Sequence, residues 1–99
     1  MVRKVIHSDR SRDDLKGVCD YVAGENREAA LKLGHELLDR IDGLVHFPGT
    51  GHLHCRSSEG EILSVPCRGY RIFYRVSVCG QNLEVLHIRH GARDEPEFE

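Results

Sequence analysis

The last third of the chain concentrates the side chains most able to do chemistry. Residues 61–93 hold five arginines, Arg68, Arg71, Arg75, Arg89 and Arg93, against two acids, Glu61 and Glu84, a local charge of +3 with no lysine among the bases. A guanidinium is a planar fork of N–H donors that matches the paired oxygens of a phosphate or a carboxylate. Arg71 and Arg75 bracket Phe73, and Arg89, His90 and Arg93 close the last apolar stretch. Both groups are candidate contacts for an anionic partner. The plainer alternative is a solvated sheet face whose charges keep an edge soluble. His87 alternates with Leu83 and Val85, a pattern that predicts a hydrogen-bonded core histidine.

His52-Leu53-His54-Cys55 gathers three metal-ligand types. Zinc needs a fourth ligand and usually CxxC or HxxxH spacing. Neither is present, so no metal site and no cofactor is expected. The four cysteines, Cys19, Cys55, Cys67 and Cys79, include no CxxC pair. An even count permits disulfides, but the apolar content and expected compartment predict free thiols.

The elements that must position these residues come from one small domain. The chain has 99 residues, 39% hydrophobic and 30% charged, with a net charge of −2. That balance is globular. Charge is unevenly placed: −1 over residues 1–60, +3 over 61–93 and −4 over 94–99. No apolar run approaches the roughly 20 residues that span a bilayer. The charged opening, Met1 to Arg12, lacks a signal-peptide core, and a cytoplasmic location is expected.

Val2 to His7 reads as a first strand. Ser8 or Asp9 can cap a helix whose apolar face is Leu15, Val18, Cys19 and Val22, ended by Gly24. Asn26 can cap a second helix with the stripe Ala30, Leu33, Leu37, Ile41 and Leu44. The short link predicts an antiparallel hairpin. A loop from Phe47 to about Gly60 follows, then three strands: Ile62–Val65, Tyr70–Val78 and Leu83–His90. Gly80-Gln81-Asn82 joins the last two. Alternation sends Tyr70, Ile72, Tyr74, Val76 and Val78 to the core, and Arg71, Phe73, Arg75 and Ser77 away from it. Asp13, Asp14 and Asp20 read as a solvated helix face. The order β-α-α-β-β-β predicts an α+β fold, with a helical hairpin on one face of a small, mostly antiparallel sheet.

Several segments carry a family likeness. Asp14-Leu15, Ala29-Ala30, and Leu44 followed by Phe47-Pro48-Gly49-Thr50-Gly51 are three of them. Tyr70-Arg71-Ile72-Phe73-Tyr74-Arg75-Val76 and Leu83-Glu84-Val85-Leu86-His87-Ile88-Arg89-His90-Gly91-Ala92-Arg93-Asp94 complete the set. In this order the chain resembles the RelE/ParE toxins of type II toxin–antitoxin systems. The resemblance implies a single toxin domain over residues 1–94, with an acidic tail at 95–99. It also implies growth inhibition, neutralised by a cognate antitoxin that covers the helical hairpin and the sheet edge.

The resemblance leaves the target open, because fold does not give function. ParE-like members poison DNA gyrase without chemistry of their own. RelE-like members cut mRNA in the ribosome, a metal-independent reaction that needs a base, an acid and cations at the phosphate. A nuclease reading would draw on Arg68, Arg75, His87 and His90. A gyrase-poison reading would use Arg71, Arg75, Arg89, His90 and Arg93 as target contacts. Two departures favour the ParE-like branch. The segment His90-Gly91-Ala92-Arg93-Asp94 has no tyrosine, and the net charge is negative where a ribosome binder is expected to be basic. An inactive, interaction-only member is a third alternative.

Overall fold

Ser8 sets the start of the first helix. Its Oγ accepts the Ser11 N–H at 3.0 Å, satisfying one of the orphan amides of the first turn. In the computed structural model, which describes residue 2 and residues 4–90, helix α1 runs Asp9–Ala23 and ends at Gly24. Asn26 caps helix α2, Arg27–His46, by accepting the Ala29 N–H at 3.0 Å. The helices form the expected hairpin. A single 3-10 turn, Pro48–Thr50, stops α2.

Among the described residues, five strands complete the fold: β1 Lys4–His7, β2 His52–Ser57, β3 Gly60–Cys67, β4 Tyr70–Val76 and β5 Asn82–His90. Their order in one sheet is β1-β5-β4-β3-β2. β1 lies parallel to β5, and every other pair is antiparallel. Strand β2 is a correction to the loop expected from Phe47 to about Gly60. Its alternation is broken by an irregularity between Leu53 and Cys55, and an outermost strand of His, Cys and Arg carries little apolar signal. Pairing with β3 makes it a strand, and no local propensity announces it.

The α2 stripe is the core. Leu33, Leu37, Ile41 and Leu44 pack against Val65, Ile72, Tyr74, Leu83, Val85 and Ile88. Helix α1 is shallower; Leu15, Val18 and Val22 are only partly covered, and its one fully buried residue is Ser11. The β3–β4 hairpin turns through Arg68 (φ 54°) and Gly69 (φ 83°), the paired positive φ values that a two-residue turn requires to match strand twist. β4 stops at Val76 and not Val78. Ser77 N–H closes the turn on Asn82 O at 2.8 Å, and Val78, expected in the core, is 87% exposed at the loop tip.

Tyr74 ties the loop to the sheet. Its hydroxyl donates to the Pro48 carbonyl at 2.7 Å and accepts the Gly51 N–H at 3.0 Å. The ring is fully buried, with its hydroxyl paired as a buried phenol requires. Gly51 is small for a reason of contact. A Cβ there would lie 2.7 Å from Tyr74 Oη and 2.9 Å from the Ser64 carbonyl. Gly51→Ala is therefore expected to destabilise the domain by about 1–3 kcal/mol through overpacking. Urea unfolding monitored by circular dichroism checks this, and an unchanged midpoint would contradict the clamp.

Candidate functional site

The sheet has two faces of different character. One meets α2. On the other lie Arg71, Phe73 and Arg75 of β4, with cross-strand partners Arg89, His87 and Glu84 on β5 and Pro66, Ser64 and Ile62 on β3. Phe73, expected on the face away from the core, is nonetheless fully buried, and His54 meets it edge-on at 5.0 Å.

The placement of His87 corrects the alternation reading. Phe73 pairs with His87, yet Tyr74 pairs with Val85, so Leu86 is an extra residue in β5. This bulge shifts the pattern by one residue. Leu83, Val85 and Ile88 face the core, while His87 and Arg89 point to the second face. Nothing in the local sequence marks Leu86 as the slip; the pairing with β4 reveals it.

Helix α1 then supplies what β5 lacks. β1 pairs with β5 only as far as Val85. Beyond it, Ser8 Oγ donates to the Leu86 carbonyl at 3.1 Å, and Asp14 Oδ2 accepts the Ile88 N–H at 3.1 Å. Asp14, read as a solvated residue, is 11% exposed at its side chain. Around its carboxylate stand His87 Nδ1 at 3.6 Å, Arg10 Nε at 3.7 Å and Arg89 Nε at 3.9 Å. Asp20, by contrast, is exposed as expected and pairs with Lys16 at 3.0 Å. One signal for Asp14 was present: Ser8, Ser11 and Asp14 recur every three residues, continuing the apolar face of α1 toward its N-terminus.

The candidate residues divide into separate places. Arg71, Arg89 and His87 come together, with Arg71 directly opposite Arg89. Arg75 belongs to a structural network: it is 17% exposed and pairs with Glu59 and with Glu84 Oε1, the latter at 3.2 Å. That overturns its reading as a solvated strand residue. Arg68 sits in the β3–β4 turn, 2.7 Å from Glu36 of α2. His90 is exposed on the helix side of the sheet, where its ring meets Tyr70 edge-on at 5.7 Å. Tyr70, read as core, is only partly buried. Arg93 and the acidic tail lie outside the described residues. Among the described residues no cluster of His, Cys, Asp and Glu could hold a metal, and the four cysteines are free thiols. Burial raises the thiol pKa of Cys19 and Cys67, which keeps both poor nucleophiles.

The other feature of note is a groove of about 690 Å³ between the helices, lined by Leu15, Cys19 and Ala23 of α1 and Leu31, Gly34 and Leu38 of α2. Gly34 lies close enough to Cys19 that an added Cβ would sit 3.3 Å from its sulfur. Leu31 is exposed.

A helical hairpin on one face of a mixed sheet is the architecture that the resemblance to the RelE/ParE toxins implied. The ParE toxin family of type II toxin–antitoxin systems (parDE) matches residues 5–95, and the chain belongs to that family. Solved structures agree in fold. The chromosomal ParDE system from P. aeruginosa superposes with a TM-score of 0.72 at 18% identity, covering 91% of this chain and 96% of the other. The archaeal RelE–RelB complex from Pyrococcus horikoshii OT3 gives 0.68 at 13%, covering 95% and 100%. The RelBE2 toxin–antitoxin complex from Mycobacterium tuberculosis gives 0.58 at 18%, covering 91% and 99%. No curated protein matches. No described helix is long and apolar enough to cross a membrane.

His87 makes the sheet end sensitive to pH. Burial lowers its pKa below the ordinary 6.5; Asp14 opposes that shift, while Arg89 and Arg10 add to it. The folded chain therefore binds this proton less readily than the unfolded chain. The stability linked to His87 is fully present above pH 6.5 and is lost as pH falls through the lower folded value. The charged groups that act on it are Asp14 and Arg10 on α1 and Arg89 on β5; Arg71 and Phe73 of β4 lie on the same face. Melting temperatures from pH 7.5 to 5 should fall less steeply in His87→Gln than in the wild type; parallel curves would contradict this.

Proposed function

We propose that this toxin inhibits growth by binding its target through the basic sheet end, that the target is DNA gyrase, and that a cognate antitoxin neutralises it by filling the groove on the helical hairpin. The observation that carries the first part is the distribution of the candidates. The residues a nuclease would need, Arg68, Arg75, His87 and His90, lie at separate positions, and two of them are engaged by Glu36 or by Glu59 and Glu84. They do not surround one phosphate-sized space, as acid–base cleavage demands. Arg71 and Arg89 do form a pair of adjacent cations, and Arg71 has no ion-pair partner among the described residues. Such a pair suits contact with carboxylates or phosphates. Gyrase is the target that the resemblance to ParE-like members implies.

The antitoxin reading rests on the groove. Its apolar lining and exposed Leu31 and Leu38 suit an amphipathic helix that folds as it binds. The ParDE and RelBE structures that share this fold are systems or complexes of a toxin with its antitoxin.

Expression without the antitoxin tests the target. Plasmid supercoiling should fall while ribosome-bound mRNA stays intact; cleaved mRNA with normal supercoiling would replace this reading with the endoribonuclease. Arg71→Glu should weaken growth inhibition without destabilising the domain, because it replaces a like-charge cross-strand pair with Arg89 by an opposite-charge one. Arg75→Glu should instead unfold easily, losing on the order of 3 kcal/mol, because it gathers three carboxylates where a partly buried ion-pair network stood. Thermal melts of both variants distinguish contact from scaffold. Leu31→Glu should leave growth inhibition intact but abolish rescue by the co-expressed antitoxin; full rescue would place the antitoxin elsewhere.

A further inference from the structure

Arg71 and Arg89 stand directly opposite each other on neighbouring strands. Like charges in that relation oppose pairing, and a third cation, Arg10, lies within reach of the same end of the sheet. A surface that concentrates positive charge needs something to hold it together before a partner arrives. The single described carboxylate at this place is Asp14. It is mostly buried and fixed to the β5 backbone by the Ile88 N–H at 3.1 Å, with His87 at 3.6 Å and Arg89 at 3.9 Å.

We propose that Asp14 is the positioning residue of the basic sheet end: a carboxylate, tethered to β5 through its backbone, that holds Arg89 and His87 in one arrangement beside Arg71. The function of that arrangement is preorganisation. A long arginine side chain loses rotamer freedom when it binds, and a side chain already restrained loses less. Asp14 offsets the repulsion between the two arginines without occupying Arg71, whose fork stays available for an acidic group of the target. Its two tasks are separable. Accepting the Ile88 N–H requires only an oxygen; restraining Arg89 and His87 requires the charge. The inference rests on the reading of this surface as the target contact.

Asp14→Asn separates the tasks, because the amide keeps the oxygen and the size but removes the charge. In the full chain, three readouts are expected. The Ile88 amide should stay protected from hydrogen exchange. The His87 titration midpoint, followed by ring proton resonances, should move down, since the neighbouring carboxylate favours the charged imidazole. Growth inhibition without antitoxin should weaken roughly tenfold, the effect of loosening one charged contact in an interface. Asp14→Glu should restore most of the inhibition. An unchanged His87 midpoint in Asp14→Asn overturns the proposal, as does full growth inhibition in Asp14→Asn when Arg71→Glu has lost it. If Arg71→Glu retains full inhibition, the target-contact reading itself fails, and the His87 midpoint alone decides whether Asp14 orders this surface. Where Asp14→Asn does not fold, Asp14→Glu is the deciding variant, and its failure to inhibit growth counts against the proposal.

Discussion

The last strand is longer than the strand that flanks it, and the fold is organised around that mismatch. β5 continues to His90, but β1 accompanies it only to Val85. The remaining edge carries backbone groups that cannot be left unpaired once partly buried. Helix α1 satisfies them with side chains. Ser8 bonds the Leu86 carbonyl while also capping the helix, and Asp14 takes the Ile88 N–H. The same two residues thereby fix where α1 starts, how it lies against the sheet and which way the end of β5 presents its side chains. α1 packs Leu15, Val18 and Val22 only partly buried against the core, and these polar contacts fix its position along β5.

A second tether acts at the far side of the sheet. Tyr74 projects from the core face of β4 and bonds both Pro48 and Gly51. It thus fastens the turn after α2 to the middle of the sheet and delivers the chain into β2. Because Gly51 has no side chain, the backbone approaches the Ser64 carbonyl closely, which starts the β2–β3 pairing at His52 and Ser64. An outer strand with almost no apolar alternation is held in place by a buried phenol two strands away and by the glycine that immediately precedes it.

Charge at the surface is allocated unevenly, and this separates arginines that brace the scaffold from one that does not. Arg68 is matched by Glu36, and Arg75 by Glu59 and Glu84; these pairs brace a turn and a strand. Exposed pairs such as Lys16 with Asp20 add little to stability. Arg71 stands outside this scheme, next to an Arg89 that shares its carboxylate with His87 and Arg10. One strand therefore carries, four residues apart, an arginine held in an ion-pair network and one with no ion-pair partner among the described residues.

By itself the sequence determined the helical hairpin, its caps at Ser8 and Asn26, the buried stripe from Ala30 to Leu44, the alternation of β4 and the family to which the chain belongs. These follow from spacing within single elements, where each residue's neighbours are fixed by the helical or extended backbone. Tertiary structure decided the rest. β2 exists because β3 pairs with it. The bulge at Leu86 exists only in the register with β4, and it alone moved His87 from the core face to the Arg71 face. Asp14 looked like any acid near the start of a helix, because its β5 partners lie more than seventy residues away. Which arginines are paired depended on where distant acids fell: beside Arg68 and Arg75, but, among the described residues, not beside Arg71. Such long-range pairings are set by strand register and by the approach of α1, which no local pattern encodes.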